Sequence, residues 1–224
     1  MFVKIILLSF LDISSSSAQE VGQFSPVNLR STQASQVPGP SLSIVTYDNQ
    51  NQAPATCDNF INRNGELGAW GQRLIRATKD VNQNCFYERI DFSGVCPNYS
   101  RFSQARKEQY IAFLFASIAA FESSCRPNAQ VRGTNDTADG LFQLEYSQRW
   151  RANAGRNARF CATNRGVNTQ DINFQMECAA SIFSDHYCRS GRVVGARTGG
   201  YWQKLNRSNG LITRLARRFP HCGN

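Results

Sequence analysis

Glu122 stands where the most apolar stretch of the chain gives way to polar residues. The run Ile111–Phe121 is patterned as a helix, and the pattern predicts one from Gln104 to Ser124. With Ile111 as origin and about 100° per residue, Phe115, Ile118 and Glu122 fall within roughly 40° of it. The carboxylate therefore continues the buried stripe. Two effects make it costly to ionise there: loss of water, and the negative end of the helix dipole in the same turn. Both raise its pKa, while Arg126, one turn on, acts in the opposite direction. Pro127 restrains Arg126 and cannot continue the helical ladder, so the helix must end nearby. A glutamic acid tuned toward neutrality where a helix opens into a loop is what general-acid chemistry at ordinary pH requires.

Other elements must hold that helix in place. Patterned stretches from Gly68 to Asp80, Asp171 to Tyr187 and Tyr201 to Leu215 predict further helices, giving a mainly helical single domain. The eight cysteines, Cys57, Cys85, Cys96, Cys125, Cys161, Cys178, Cys188 and Cys222, bracket a span of 166 residues. Their even number, in a chain that opens with an export-like segment, reads as disulfides, with the pairing left open. No CxxC pair occurs and only His186 and His221 are available, so neither a metal site nor a nucleophilic cysteine is expected.

The residues that follow Glu122 carry a second signal. Glu122-Ser123-Ser124-Cys125-Arg126-Pro127, a turn-rich link and Ala138-Asp139-Gly140-Leu141-Phe142-Gln143-Leu144 resemble the signature of the lytic transglycosylases and goose-type lysozymes. There a long apolar helix ends in Glu-Ser and a Gly-Leu-x-Gln element follows. The match spans Gln104 to Arg149. The resemblance implies a lysozyme-like, α+β fold with a glycan cleft. It implies cleavage of the β-1,4 bond between N-acetylmuramic acid and N-acetylglucosamine in peptidoglycan. On that basis Glu122 is the acid that protonates the leaving oxygen, and Ser123 helps hold substrate. Gly140, Leu141, Phe142 and Gln143 line the cleft floor. The family's later Ala-Tyr-Asn element is missing; Gly199-Gly200-Tyr201-Trp202 is the nearest candidate, with Tyr201 in the supporting role, Tyr187 as its rival, and Trp202 either a sugar-stacking ring or core.

The chemistry turns on a second carboxylate. An inverting hydrolase needs a base about 6.5 to 9.5 Å from the acid, and Asp136 and Asp139 are the candidates, although both sit in turn-forming sequence. If neither serves, Glu122 acts alone. It then takes a proton from the muramic 6-hydroxyl, leaving a 1,6-anhydro end, or from a water assisted by the substrate's N-acetyl group. De-N-acetylated walls lack that assistance and carry added cations, so they call for an altered cleft. A secreted, non-catalytic binder of wall glycan or another anionic surface is the alternative. A nucleic-acid partner is not expected, because no zinc knuckle, helix-turn-helix or basic-aromatic strand is found.

Charge adds a partner. The chain of 224 residues has a formal net charge of +9, with 25 Lys+Arg against 16 Asp+Glu. Residues 1–145 hold 12 cations and 13 acids, and residues 146–224 hold 13 and 3, so the final third carries +10. Of the 25 cations 21 are Arg, whose planar fork suits carboxylate and phosphate. This segment is expected to dock on an anionic wall beside the cleft. Lys4, the apolar run Ile5–Leu11 and the small residues up to Ala18 read as a signal peptide over 1–18, with a flexible lead over 19–56 and the catalytic domain over 57–224. Nothing later approaches the roughly 20 apolar residues of a membrane span. A secreted or periplasmic monomer without cofactors is expected.

Overall fold

The structure is a computed structural model that describes residues 45–46, 55–132, 137–145, 159–161, 168–196 and 201–223. All belong to one unit, Ser35–Asn224. The expected signal peptide and most of the lead lie outside the described residues. Within the lead, β1 (Val45–Thr46) pairs antiparallel with β2 (Ala55–Thr56).

The central helix, α2 (Gln104–Ser123), begins where the Ser103 side chain accepts a hydrogen bond from the Arg106 amide. It is buried on every side from Tyr110 to Ala120, more than the single stripe expected from its sequence. The alanines at 112, 116, 119 and 120 leave room for other elements to close on all faces. Around it lie α1 (Ala69–Asn84), α3 (Ile172–Ser190), α4 (Gln203–Asn206) and α5 (Leu211–Ala216). Helix α1 packs along α3, and α5 packs on α2. Helix α1 leaves regular geometry at Asn82 and runs into a π-helical turn, Cys85–Arg89. Asp171 caps α3 by accepting from the Phe174 amide, and Gly191 ends it in the left-handed region.

The predicted helix from Tyr201 to Leu215 is two short ones instead. The Arg207-Ser208-Asn209-Gly210 turn separates them, and at Gly210 a Cβ would come within 1.8 Å of the Lys204 carbonyl oxygen. Only glycine fits that close approach, so the backbone folds over rather than continuing the helix. A second sheet, after α2, has three short antiparallel strands: β3 (Gln130–Arg132), β4 (Thr137–Asp139) and β5 (Leu144–Glu145).

Aromatic rings tie sheet to helices. Phe115 of α2 stands 5.8 Å from Phe142, 5.2 Å from Phe183 and 6.3 Å from Trp202, centroid to centroid. Four disulfides brace this core: Cys57–Cys125, Cys85–Cys188, Cys96–Cys222 and Cys161–Cys178. Peptide mapping without reduction is expected to recover these four pairs and no others. The double variant Cys85→Ala/Cys188→Ala, which opens a cross-link spanning 103 residues, should lose about 2–5 kcal/mol of stability in denaturant melts.

Candidate active site

Helix α2 stops at Ser123, one residue after Glu122, because the chain turns left-handed twice, at Ser124 (φ 55°) and Cys125 (φ 57°). Both amides donate to the Ala119 carbonyl, 3.0 Å away for Cys125. Neither residue is glycine, and each such conformation costs roughly 1–2 kcal/mol. The Cys57–Cys125 disulfide fixes the end of this turn. Glu122 is thereby held in the last helical turn with its side chain partly buried. Burial pushes its carboxyl up from 4.5 to about 7. The expected rise is present, and desolvation is its cause.

Ser123 faces inward. Its Oγ lies 3.0 Å from the Ala119 carbonyl oxygen and 2.9 Å from that of Leu141, so its one proton ties the helix end to the loop after β4. In that loop Gly140 takes φ +74°, and Leu141 and Phe142 are fully buried. Their side chains enter the core, and only their backbone is left to border a ligand site. Gln143 (φ 49°) turns its amide onto the loop itself, donating to the Gly140 carbonyl at 3.0 Å and to the Ala129 carbonyl at 3.4 Å. Tyr201 supports the same segment: its hydroxyl donates to the Gln143 carbonyl and accepts from the Glu145 amide, both at 2.9 Å. Its rival Tyr187 is buried in α3 with its hydroxyl 2.6 Å from Asn206 Oδ1. Trp202 is core, fully buried with its indole nitrogen donating to the Phe142 carbonyl, and does not face a sugar.

Of the two candidate second carboxylates, Asp136 lies outside the described residues. Asp139 closes β4 next to Gly140; it is 5% exposed, and among the described residues its Oδ1 has no hydrogen-bond partner. Among the described residues no cluster of His, Cys, Asp and Glu could hold a metal ion.

Gln175 was not singled out from sequence, yet it is fully buried beside the loop. Its Oε1 accepts from the Leu141 amide at 2.8 Å, and its Nε2 donates to the carbonyls of Pro127 and Thr169 at 3.1 and 3.2 Å. The only hint in the sequence is a polar residue one step from Met176 within the apolar face of a predicted helix.

A carboxyl raised to about 7 binds its proton more tightly in the folded than in the unfolded chain. Its protonated form costs the fold nothing below about pH 4.5; as pH rises from there to 7 stability is lost, by about 3 kcal/mol in all. Glu122→Gln should therefore be more stable than the parent at pH 8. The gap should grow between pH 4.5 and 7 and level off above, in denaturant melts at successive pH values.

No family model and no curated protein matches the chain. Among solved structures it is similar to DslA (Bd0314) in its wild-type form 2, with a TM-score of 0.55 and 22% identity over 69% of this chain and 91% of that chain. It is similar to two DslA variants as well, each with one glutamate replaced by glutamine. These give TM-scores of 0.55 and 0.54 at 23% identity, with the same coverage. At this identity the likeness is one of fold: a mostly helical domain with a small sheet.

Proposed function

We propose that this protein is an exported muramidase that cuts the MurNAc-β-1,4-GlcNAc bond of peptidoglycan, with Glu122 as its general acid. The observation that carries the proposal is a partly buried glutamic acid, raised to about 7, at a helix end hydrogen-bonded through Ser123 to the Gly140–Gln143 loop. Near neutral pH such a group is protonated often enough to deliver a proton to the leaving oxygen, and its conjugate base is strong enough to take one back.

The acid's second task decides the product. Acting alone, the ionised Glu122 takes the proton of the muramic 6-hydroxyl and the ring closes to a 1,6-anhydro end, or it activates a water while the N-acetyl group assists. Asp139 is the described candidate for a base in a hydrolytic route, since among the described residues its buried Oδ1 has no competing partner. On de-N-acetylated wall the substrate-assisted route is lost, which leaves the routes through Glu122 and a second carboxylate.

A cationic surface accompanies this site. After Asp185 the sequence contains no further acid. Lys204, Arg207, Arg214 and Arg218 are exposed on and around α4 and α5. We assign to this surface docking on the anionic wall, and it equally suits the second reading, a wall-binding protein without turnover. Four disulfides fit an oxidising compartment, and among the described residues no helix is long and apolar enough to cross a membrane. Secretion through the 1–18 segment completes the proposal.

Glu122→Gln is expected to stay folded and lose lysis of sacculi by at least about a hundredfold, the usual weight of a general acid. A folded variant with full activity would contradict the assignment, and sugar binding without turnover by the parent would favour the binder. Activity of the parent should fall as pH rises through about 7, because the acid loses its proton. Masses of released muropeptides separate the chemistries, an anhydro end being lighter by one water. Assays on native, de-N-acetylated and re-acetylated sacculi show which glycan is preferred. Salt should weaken sacculus binding more than cleavage of short neutral oligosaccharides.

A further inference from the structure

Four hydrogen-bonded steps close a ring at the end of α2. Ser123, next to Glu122, gives its hydroxyl proton toward the Leu141 carbonyl. The amide of that same Leu141 donates to Gln175 Oε1, and Gln175 Nε2 donates to the Pro127 carbonyl. From Pro127 the chain runs back through the left-handed Cys125 and Ser124 to Ser123, and Arg126 N donates to the Ser123 carbonyl at 3.2 Å. Besides the bonds that the Gly140 amide and the Gln143 carboxamide make to the Ala129 carbonyl, the turn after Glu122 and the Gly140–Gln143 loop are thus joined twice, once directly and once through a single side chain on α3.

That side chain has no freedom to move. It is fully buried, and its third bond, to the Thr169 carbonyl, pins it to the segment leading into α3. A Cβ on Gly140 would come within 2.5–2.6 Å of three atoms of the carboxamide. Glycine at 140 therefore leaves room for Gln175, in addition to permitting φ +74°. A buried amide with both ends engaged is expensive to replace, because each lost bond strands a buried backbone group.

We propose that Gln175 is a positioning residue for Glu122: its carboxamide locks the turn that follows the helix to the Gly140–Gln143 loop, and so fixes how the carboxyl is presented. The consequence for turnover rests on Glu122 being the acid. The consequence for its ionisation does not. Released from Gln175, the turn lets water reach the carboxyl, and desolvation, the cause of its raised pKa, is relieved. The charged groups on the joined segments are Arg126 on the turn, Asp139 and Glu145 on the strands either side of the loop, and Asp171 and Glu177 on either side of Gln175 in the chain.

The test uses the mature protein with carbon-13-labelled glutamate. There are seven glutamates in the chain, and the resonance missing from Glu122→Gln identifies Glu122. Gln175→Met keeps the length without the hydrogen bonds, and Gln175→Asn keeps the amide on a stem one carbon shorter that cannot span Leu141 and Pro127. Met176→Ala, in the same helix but outside the ring, is the control for general loss of stability. In either Gln175 variant the Glu122 midpoint should drop from about 7 by on the order of one pH unit. On sacculi kcat should fall by about a hundredfold with KM changed less. The control should melt earlier yet keep its midpoint.

A folded Gln175 variant with the parent's midpoint, or a control that shifts as far, would overturn the proposal. So would failure of both Gln175 variants to fold while the control folds, since Gln175 would then simply hold the fold. If the parent does not lyse sacculi, the enzyme assignment fails, and the titration alone decides the role of Gln175.

Discussion

Keeping one carboxyl largely out of water at the end of a buried helix is the constraint on which the rest of the structure depends. Raising Glu122 from 4.5 to about 7 costs the ionised protein about 3 kcal/mol, roughly what burial of one or two large apolar side chains returns. The surroundings supply that return several times over. Helix α2 is enclosed from Tyr110 to Ala120, and Phe115 anchors an aromatic cluster reaching the loop through Phe142 and α3 through Phe183. The carboxyl sits at the margin of that enclosure, where the helix stops and the chain turns away.

Two devices hold the margin. The left-handed pair Ser124 and Cys125 swings the chain off the helix axis, and the Cys57–Cys125 disulfide ties the swing to the start of the domain. From the other side, Ser123 and Gln175 bind the loop to the helix end. Polar groups that could have faced a ligand are largely spent inside: Ser123 on two carbonyls, the Gln143 amide on Gly140 and Ala129, the Tyr201 hydroxyl on Gln143 and Glu145. These bonds brace the loop from within, and Glu122 and Asp139 are the carboxyls of chemical interest near it.

Much of this was legible in sequence because it is local. The apolar run Ile111–Phe121 predicts α2 within one residue of its end, and a glutamate continuing its stripe predicts a raised pKa. Apolar patterning also locates α1 and α3. What escaped is what depends on distant partners. Trp202 could be core or sugar platform until Phe115 and Phe142 are seen to surround it. The break between α4 and α5 depends on Gly210 meeting the Lys204 carbonyl, a close approach that periodicity does not register. Gln175 meets Leu141 and Pro127, 34 and 48 residues away in the chain, and no spacing rule connects them.

The central claim is that the Glu122 carboxyl delivers a proton to a glycosidic oxygen, and a structure of Glu122→Gln with a peptidoglycan tetrasaccharide bound tests it most directly. The account predicts the bridging oxygen within about 2.6–3.2 Å of the residue 122 carboxamide, with the sugar passing over the Gly140–Gln143 backbone. A tetrasaccharide bound only elsewhere, for example along the cationic surface of α4 and α5, would contradict it.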